Sequence, residues 1–335
     1  MLRRFLHTIR LPSSSMPKPR SDLENTLRLV PVPGKIDVYT NGERLHVPPG
    51  ARGVFGGTLV AQSLWAAIKT VPPTFVPHSL HSYFLKSGNK DHQIEYEVDR
   101  LRDGKSFCSR QVKAFQQGEL IFIEMISFTL AKSERKLPPQ LKHTKPYPSN
   151  VKFEDHLDPK ESFIKGVVDT GVMKDEVFQS FEKYFNRFVD GPTEYKFPID
   201  FWVSLPNHPK NHKQPHELDV NFFERYRVPV RDPRFNYVAL AYTSDSYILL
   251  SVMRFHNRPL HSSVFSVSLD HSIYFHKQPD FNQWTLYHIE HPKSGDSRKL
   301  MTGEMYERDS GDMVASIIQE GLVVINDEQL YKSKL

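Results

Sequence analysis

The sequence predicts an α+β fold of two tandem units, each a long apolar helix wrapped by an antiparallel sheet. Three observations predict it. Twice along the 335 residues, strand-like segments lead into one apolar helical run, and a meander of strands follows each time. The halves echo each other in letters: His81-Ser82-Tyr83-Phe84 returns as His271-Ser272-Ile273-Tyr274-Phe275, and Asp103-Gly104-Lys105-Ser106 returns loosely as Ser294-Gly295-Asp296-Ser297. The repeat is about 130 residues long, which a duplicated unit accounts for best.

In the first half, Asn25–Tyr39 and Gly42–Val47 alternate weakly and read as short strands, with Pro48–Gly53 a turn. Val54-Phe55-Gly56-Gly57 leads into a helix over Thr58–Val71, with Ala and Leu at helical spacing and Pro72-Pro73 as its stop. Gln62 is the one long polar group in its middle. Strands are expected at His78–Lys86, Gln93–Leu101, Ser106–Gln116 and Leu120–Leu130, separated by Ser87-Gly88-Asn89, Asp103-Gly104 and Gln117-Gly118.

Ala131–Glu194 is rich in Lys, Pro, Asp and Glu and reads as a connection, with a short amphipathic helix over Asp175–Phe188. The pattern then returns: strands at Tyr195–Leu205 and Leu218–Arg227, a helix over Pro233–Met253, and a break at Phe255–Ser263. Strands at Val264–Phe275, Trp284–Glu290, Arg298–Glu307 and Met313–Val324 complete the second meander. Each unit so drawn is a hot-dog, and two side by side would share one continuous sheet. The division expected is a tail at 1–22, an N-terminal hot-dog at 23–132, a connecting segment at 133–194, a C-terminal hot-dog at 195–328 and an exposed tail at 329–335.

Hydrophobic residues at 39% and aromatics at 12% suffice for real cores. The net charge of +5 suits an anionic ligand such as a phosphorylated cofactor but is too small to argue for nucleic acid. One cysteine, Cys108, excludes an internal disulfide and a thiolate zinc cluster. No apolar run approaches the roughly 18 residues of a membrane span, so no stable membrane insertion is expected. The ends look like addresses. Met1–Arg20 has five Arg or Lys and no acid, the composition of a mitochondrial transit peptide or of a solvated tail, with Met16 an alternative start. Ser333-Lys334-Leu335 is a peroxisomal targeting tripeptide read by an import receptor. A peroxisomal location is expected, with a second mitochondrial pool left open.

One acid stands out. Asp245 lies in an apolar, small-residue setting, where a charge needs a partner or a use. It reads either as an Asp at a helix edge or as a proton-handling group facing Ser268 across a helix–strand contact. Asp270-His271-Ser272 invites a serine-triad reading, but neighbours on a strand point to opposite faces and cannot converge by themselves. His78 and His81, three apart on a strand, also face opposite ways, which argues against a metal pair. No metal site and no cofactor are expected.

Arg52-Gly53-Val54-Phe55-Gly56-Gly57 with Gln62, then His78-Ser79-Leu80-His81-Ser82-Tyr83-Phe84-Leu85, resembles the type II acyl-CoA thioesterases. So do Ser268-Leu269-Asp270-His271-Ser272-Ile273-Tyr274-Phe275-His276 and Ala315-Ser316-Ile317-Ile318-Gln319-Glu320-Gly321. The likeness covers roughly Leu29–Leu130 and Tyr195–Val324. It implies a double hot-dog enzyme that hydrolyses fatty acyl-CoA to free acid and CoA, and an Asp–Ser/Thr–Gln triad falling on Asp245, Ser268 and Gln319. It gives His78 a supporting role.

On this reading Asp245 takes a proton from water, while Ser268 and the Gln319 amide hold that water. The oxyanion donor is expected to be a backbone N–H near Gly56-Gly57, so Gly57 joins the supporting residues. The first half lacks the set: Gln62 stands roughly where Asp245 stands, and Glu124 is the only long polar side chain where Gln319 would be. One site per chain is therefore expected. An enoyl-CoA hydratase and a non-catalytic acyl-CoA-binding protein are the alternatives, and a homo-oligomer is the expected assembly.

Overall fold

The structure, a computed structural model, describes residues 22–48, 51–131, 141–174, 178–179, 185, 188, 191–204, 209–260 and 262–325. The transit-peptide-like segment, the Ser333-Lys334-Leu335 tripeptide and most of Asp175–Phe188 lie outside the described residues.

The first turns depart from the weak alternation read in the sequence. Asp22 caps a one-turn helix, α1 (Leu23–Thr26), its carboxylate accepting from the N–H groups of Glu24 and Asn25. β1 (Leu29–Pro31) and β2 (Val38–Asn41) pair through a turn that needs left-handed backbone at Gly34 and Asp37. Gly42–Val47 is no strand: the Gly42 N–H turns back to the Arg28 carbonyl.

Next come α2 (Gly56–Ile68), β3 (Phe75–Phe84), β4 (Glu95–Asp103), β5 (Phe107–Gln116) and β6 (Glu119–Leu130). The connection contributes a short helix, α3 (Pro159–Phe163), with Asp158 as its cap. β7 (Thr193–Lys196) is shorter than Tyr195–Leu205. Pro198 has no N–H for a ladder, and after Phe197 the chain leaves the sheet. β8 (Asp219–Tyr226) follows.

The long helix expected over Pro233–Met253 is broken into α4 (Phe235–Thr243) and α5 (Val252–Phe255). Ser244-Asp245-Ser246 supplies three short polar side chains that compete for local backbone, and Tyr247 adopts a left-handed φ of 62°. The strand expected over Val264–Phe275 is likewise divided, into β9 (Phe265–Ser268) and β10 (Asp270–Phe275). β11 (Thr285–Gly295), β12 (Arg298–Glu307) and β13 (Met313–Val324) complete the chain.

The thirteen strands of the described residues form one sheet, in the order β1-β2-β4-β5-β6-β3-β10-β13-β12-β11-β8-β7, with β9 beside β13. β3 and β10 join the halves antiparallel, with His81 opposite Ser272. Along β5 and β12 burial alternates strictly over most of the strand, putting one face under the helices. There α2 and α4 lie against each other through Phe55 on Tyr242 and Trp65 on Phe235. One core of buried side chains runs through both halves. The opposite face of the C-terminal strands is covered by the connection, whose Tyr147, Val151 and Phe153 pack on Phe223, Leu286 and Tyr306. This is the double hot-dog expected from the repeat. Among the described residues no helix is long and apolar enough to cross a membrane.

Candidate active site

The break in the second helix makes the site. Asp245 directly follows Ser244, the C-cap of α4, and faces the start of α2 from the other half. Its Oδ2 accepts from the Gly57 N–H at 2.8 Å and its Oδ1 from Gln319 Nε2 at 3.0 Å. The approach requires glycine: a Cβ on Gly56 would lie 2.8 Å from Asp245 Oδ2, and one on Gly57 would lie 2.3 Å from the Tyr242 carbonyl oxygen. A helix start favours a carboxylate, yet burial outweighs it here. Burial pushes Asp245 up to about 6, while the Gln319 and Gly57 hydrogen bonds pull the other way. The residue remains partly exposed.

β13 supplies Gln319, which is fully buried. Its amide nitrogen reaches Asp245 and, at 2.8 Å, Ser268 Oγ. Ser268 ends β9 opposite Gly321. The strand breaks just after it: Leu269 keeps its bond to the Glu320 carbonyl, but the Glu320 N–H goes to the Asp270 carboxylate at 2.7 Å. Such an irregularity beside a site re-aims the flanking side chains. Asp245, Ser268 and Gln319 are thus brought together from a helix end, a strand end and a mid-strand position.

His271 joins them, and the sequence reading missed it. It is fully buried, with Nδ1 2.8 Å from Gln319 Oε1 and Nε2 2.8 Å from Ser244 Oγ. Burial lowers it to about 4, against a smaller opposing effect of the Gln319 bond, so it is neutral at physiological pH. The triplet behaves as strand alternation requires. Asp270 bonds the Glu320 N–H, Ser272 Oγ lies 3.0 Å from His81 Nδ1, and only His271 reaches the site. The usable signal was period two: His271 shares a buried face with Ile273 and Phe275.

Behind the site, the Tyr287 hydroxyl donates to the Ser244 carbonyl at 2.7 Å, and Thr243 donates to Glu224 at 2.5 Å. Burial raises Glu224 to about 8, which leaves it neutral at pH 7.

Two sequence expectations are corrected. The Gly57 N–H is engaged by Asp245, so it is not a free oxyanion donor. His78 sits elsewhere on β3 beside a bulge, its Nε2 2.8 Å from Ser127 Oγ and its ring edge-on to Phe107. Strand rise and ladder spacing put it roughly 15 Å from Gln319, beyond contact with the three residues. Its supporting role is therefore not one of touching them.

Among the described residues the first half shows no equivalent set. As Asp245 meets the start of α2, Trp65 of α2 meets Phe235 at the start of α4, with ring centroids 5.4 Å apart. At the start of α4, then, the first half presents an indole ring where the second half presents a carboxylate to the start of α2. Gln62 accepts from the buried Tyr96 hydroxyl at 2.7 Å. Glu124 is fully buried, neither carboxyl oxygen has a partner, and burial raises it far above the ordinary carboxylate range. Among the described residues no group of three or more His, Cys, Asp or Glu is arranged to hold a metal.

Comparison with known proteins agrees on one chemistry. The family model described as "Acyl-CoA thioesterase" matches residues 196–322, and "Acyl-CoA thioesterase N-terminal domain" matches 44–129. A relative from Saccharomyces cerevisiae, "Peroxisomal acyl-coenzyme A thioester hydrolase 1", is 37% identical over 94% of this chain and 97% of its own length. "Acyl-coenzyme A thioesterase 8" of Rattus norvegicus is 32% identical over 94% of this chain and 95% of its own. Among solved structures, an acyl-CoA thioesterase II from Mycobacterium marinum superposes with a TM-score of 0.64 at 27% identity, covering 92% of this chain and all of that one (100%). A protein from Alicyclobacillus acidocaldarius described as having a hot dog fold superposes at 0.59 with 16% identity, covering 90% of this chain and 98% of its own, which speaks to the fold alone.

Proposed function

We propose a mechanism from the premise that the chain belongs to the acyl-CoA thioesterase family and is a thioester hydrolase. Asp245 is the general base. Water beside it attacks the thioester carbonyl carbon and gives a proton to the carboxylate, and the carbonyl oxygen becomes an oxyanion. The intermediate expels CoA thiolate, the proton on Asp245 passes to the sulfur, and free acid and CoA leave. No acyl-enzyme is needed. Ser268 has no imidazole within hydrogen-bond reach among its assigned partners, and its Oγ is bound by an amide instead.

The single observation that carries this reading is the shared amide. One Gln319 nitrogen holds Asp245 and Ser268 together, at 3.0 and 2.8 Å. Both of its hydrogens are then used, so Gln319 organises the other two rather than gripping water. Ser268 accepts from Gln319 and keeps its own proton to donate to water or to the developing oxyanion. This revises the expectation that Gln319 itself holds the water.

The hydratase alternative needs an acid and a histidine on one helix and loop. The nearest following histidine, His256, instead lies against His291, with ring centroids 5.5 Å apart. The test is release of free thiol from acyl-CoAs of graded chain length, wild type beside Asp245→Asn. Asp245→Asn should lose ~10²–10⁴-fold in kcat with folding intact. Unchanged turnover would remove Asp245 as base, and a wild type inactive on every chain length would point to a binding protein.

The same proposal puts the activity in the peroxisome, in fatty-acid metabolism, as the name of the yeast relative does for that protein's location. A fluorescent fusion ending in Ser333-Lys334-Leu335 should be peroxisomal and should lose that location without the tripeptide; a location indifferent to it would count against this assignment.

A further inference from the structure

We propose that His271 is a positioning residue of this site: as the Nδ1–H tautomer it fixes the Gln319 amide in the one orientation that keeps Asp245 a base and the Ser268 proton free. The inference rests on the thioesterase reading above. It starts from a property of amides. A glutamine side chain has nearly the same shape either way round, but one end only accepts and the other only donates. Packing alone therefore does not choose between the two orientations of Gln319, although the chemistry of the site depends on the choice.

In the observed orientation Nε2 faces Asp245 at 3.0 Å and Ser268 at 2.8 Å, and Oε1 faces His271 Nδ1 at 2.8 Å. Turned over, Oε1 would lie against the Asp245 carboxylate, two acceptors in contact at a poorly solvated place. A proton on His271 Nδ1 selects the first arrangement, because only a carbonyl oxygen can receive it. Nε2 is then a bare acceptor, and Ser244 Oγ at 2.8 Å is the hydroxyl that can donate to it. The same hydroxyl also reaches the Ala241 carbonyl within α4 at 3.1 Å, and with one proton to give it serves the shorter contact, to the His271 ring, in this arrangement. The chain of partners thus runs from the end of α4, through β10 and β13, to the base and the hydroxyl.

His271 is itself held in place. Its residue pairs with Ser82 across the β3–β10 seam, and the Ser82 hydroxyl donates to the His271 carbonyl at 2.8 Å. The titratable groups around the site are few. Tyr242 and Tyr287 lie beside Asp245, with Glu224 behind Tyr287 and Thr243, all raised by burial and neutral at pH 7. Glu124, across the ladder from Ser82, is neutral for the same reason. Asp270 is engaged by the Glu320 N–H, and Glu320 lies 3.6 Å from Arg298. Asp245 is then the carboxylate whose charge the amide governs.

The test compares wild type with His271→Asn and His271→Leu. Asn keeps an N–H close to where Nδ1 stands; Leu keeps bulk and removes both nitrogens. His271→Leu should lose ~100-fold in kcat with KM within ~3-fold, as misplacement of a supporting group does. Its acid limb of kcat should move to higher pH, because a freed amide presents Oε1 to Asp245 and disfavours the carboxylate. His271→Asn should stay within ~10-fold of wild type with the limb unmoved. Equal turnover and equal limbs in both variants would overturn the proposal, since a histidine needed only for packing shifts neither apart.

Where His271→Leu does not fold, nitrogen NMR of histidine-labelled wild type, with the His271 signal identified from its loss in His271→Asn, decides the matter. Nδ1 protonated, Nε2 bare and no titration between about pH 5 and pH 8 is the expected result. An Nε2–H tautomer or a titrating ring overturns it. If wild type releases no thiol from any acyl-CoA, the thioesterase reading fails, while the NMR result still stands or falls by itself.

Discussion

Asp245 carries two opposed influences, and their balance sets a pH dependence. Burial disfavours the charged carboxylate and raises it to about 6; the amide of Gln319 and the N–H of Gly57 favour it. A base works only when deprotonated, so the sign is fixed: kcat is full above this value and falls as pH drops through it. The kcat profile should be half-maximal near pH 6 and lose about tenfold per unit below. A profile flat from pH 5 upward would mean that the rate does not depend on this carboxylate. Asp245, Ser268 and Gln319 were legible in the sequence because each sits in a distinctive run of letters. His271 sits in the same run and was passed over, because its two neighbours could not join it. Its real partners, Gln319 and Ser244, come from β13 and the end of α4, and only the pairing of β10 with β13 and the packing of α4 on β10 bring them to it.

Among elements, what the sequence disclosed depended on how much each relied on its own period. β5, β6, β12 and β13 are long and alternate cleanly, and their ends fall within a residue of expectation. α2 was legible from Ala and Leu at helical spacing, though it starts two residues early, on the glycines themselves. The failures are elements governed by contacts from far along the chain. The apolar run of Pro233–Met253 is long enough for one helix, but Tyr247 turns left-handed and its ring packs on Tyr195, Phe197, Phe201 and Phe222. Leu249, carried round by that turn, presses on Gly321, where a Cβ would lie 2.4 Å from it. An unbroken helix would carry Asp245 on its flank; the break places it at a helix end facing Gly57. The division between β9 and β10 works the same way on Ser268. At both places a local irregularity that lowers the regularity of an element aims a side chain of the site.

At the scale of the whole molecule, the duplication poses the question of how many sites one chain holds. The two halves bring their helices together face to face, so two equivalent positions exist, one at each helix start. One holds Asp245 against Gly57 with Gln319 and Ser268 beside it. The other holds the Trp65 ring against Phe235, which cannot take a proton from water; the buried acid of that half, Glu124 on β6, is neutral and lacks a partner for either oxygen. Duplication relaxes the need for both copies to keep the chemistry, since one set of residues suffices for turnover and the other half need only pack. Titration with a non-hydrolysable acyl-CoA should therefore give one equivalent of bound ligand per chain, and Asp245→Asn should cut turnover by the ~10²–10⁴-fold given above rather than halve it. Two equivalents with equal affinity, or half the turnover left in Asp245→Asn, would mean that the Trp65 side also binds or reacts. The ring contact at the start of α4 offers that side no group able to take a proton from water.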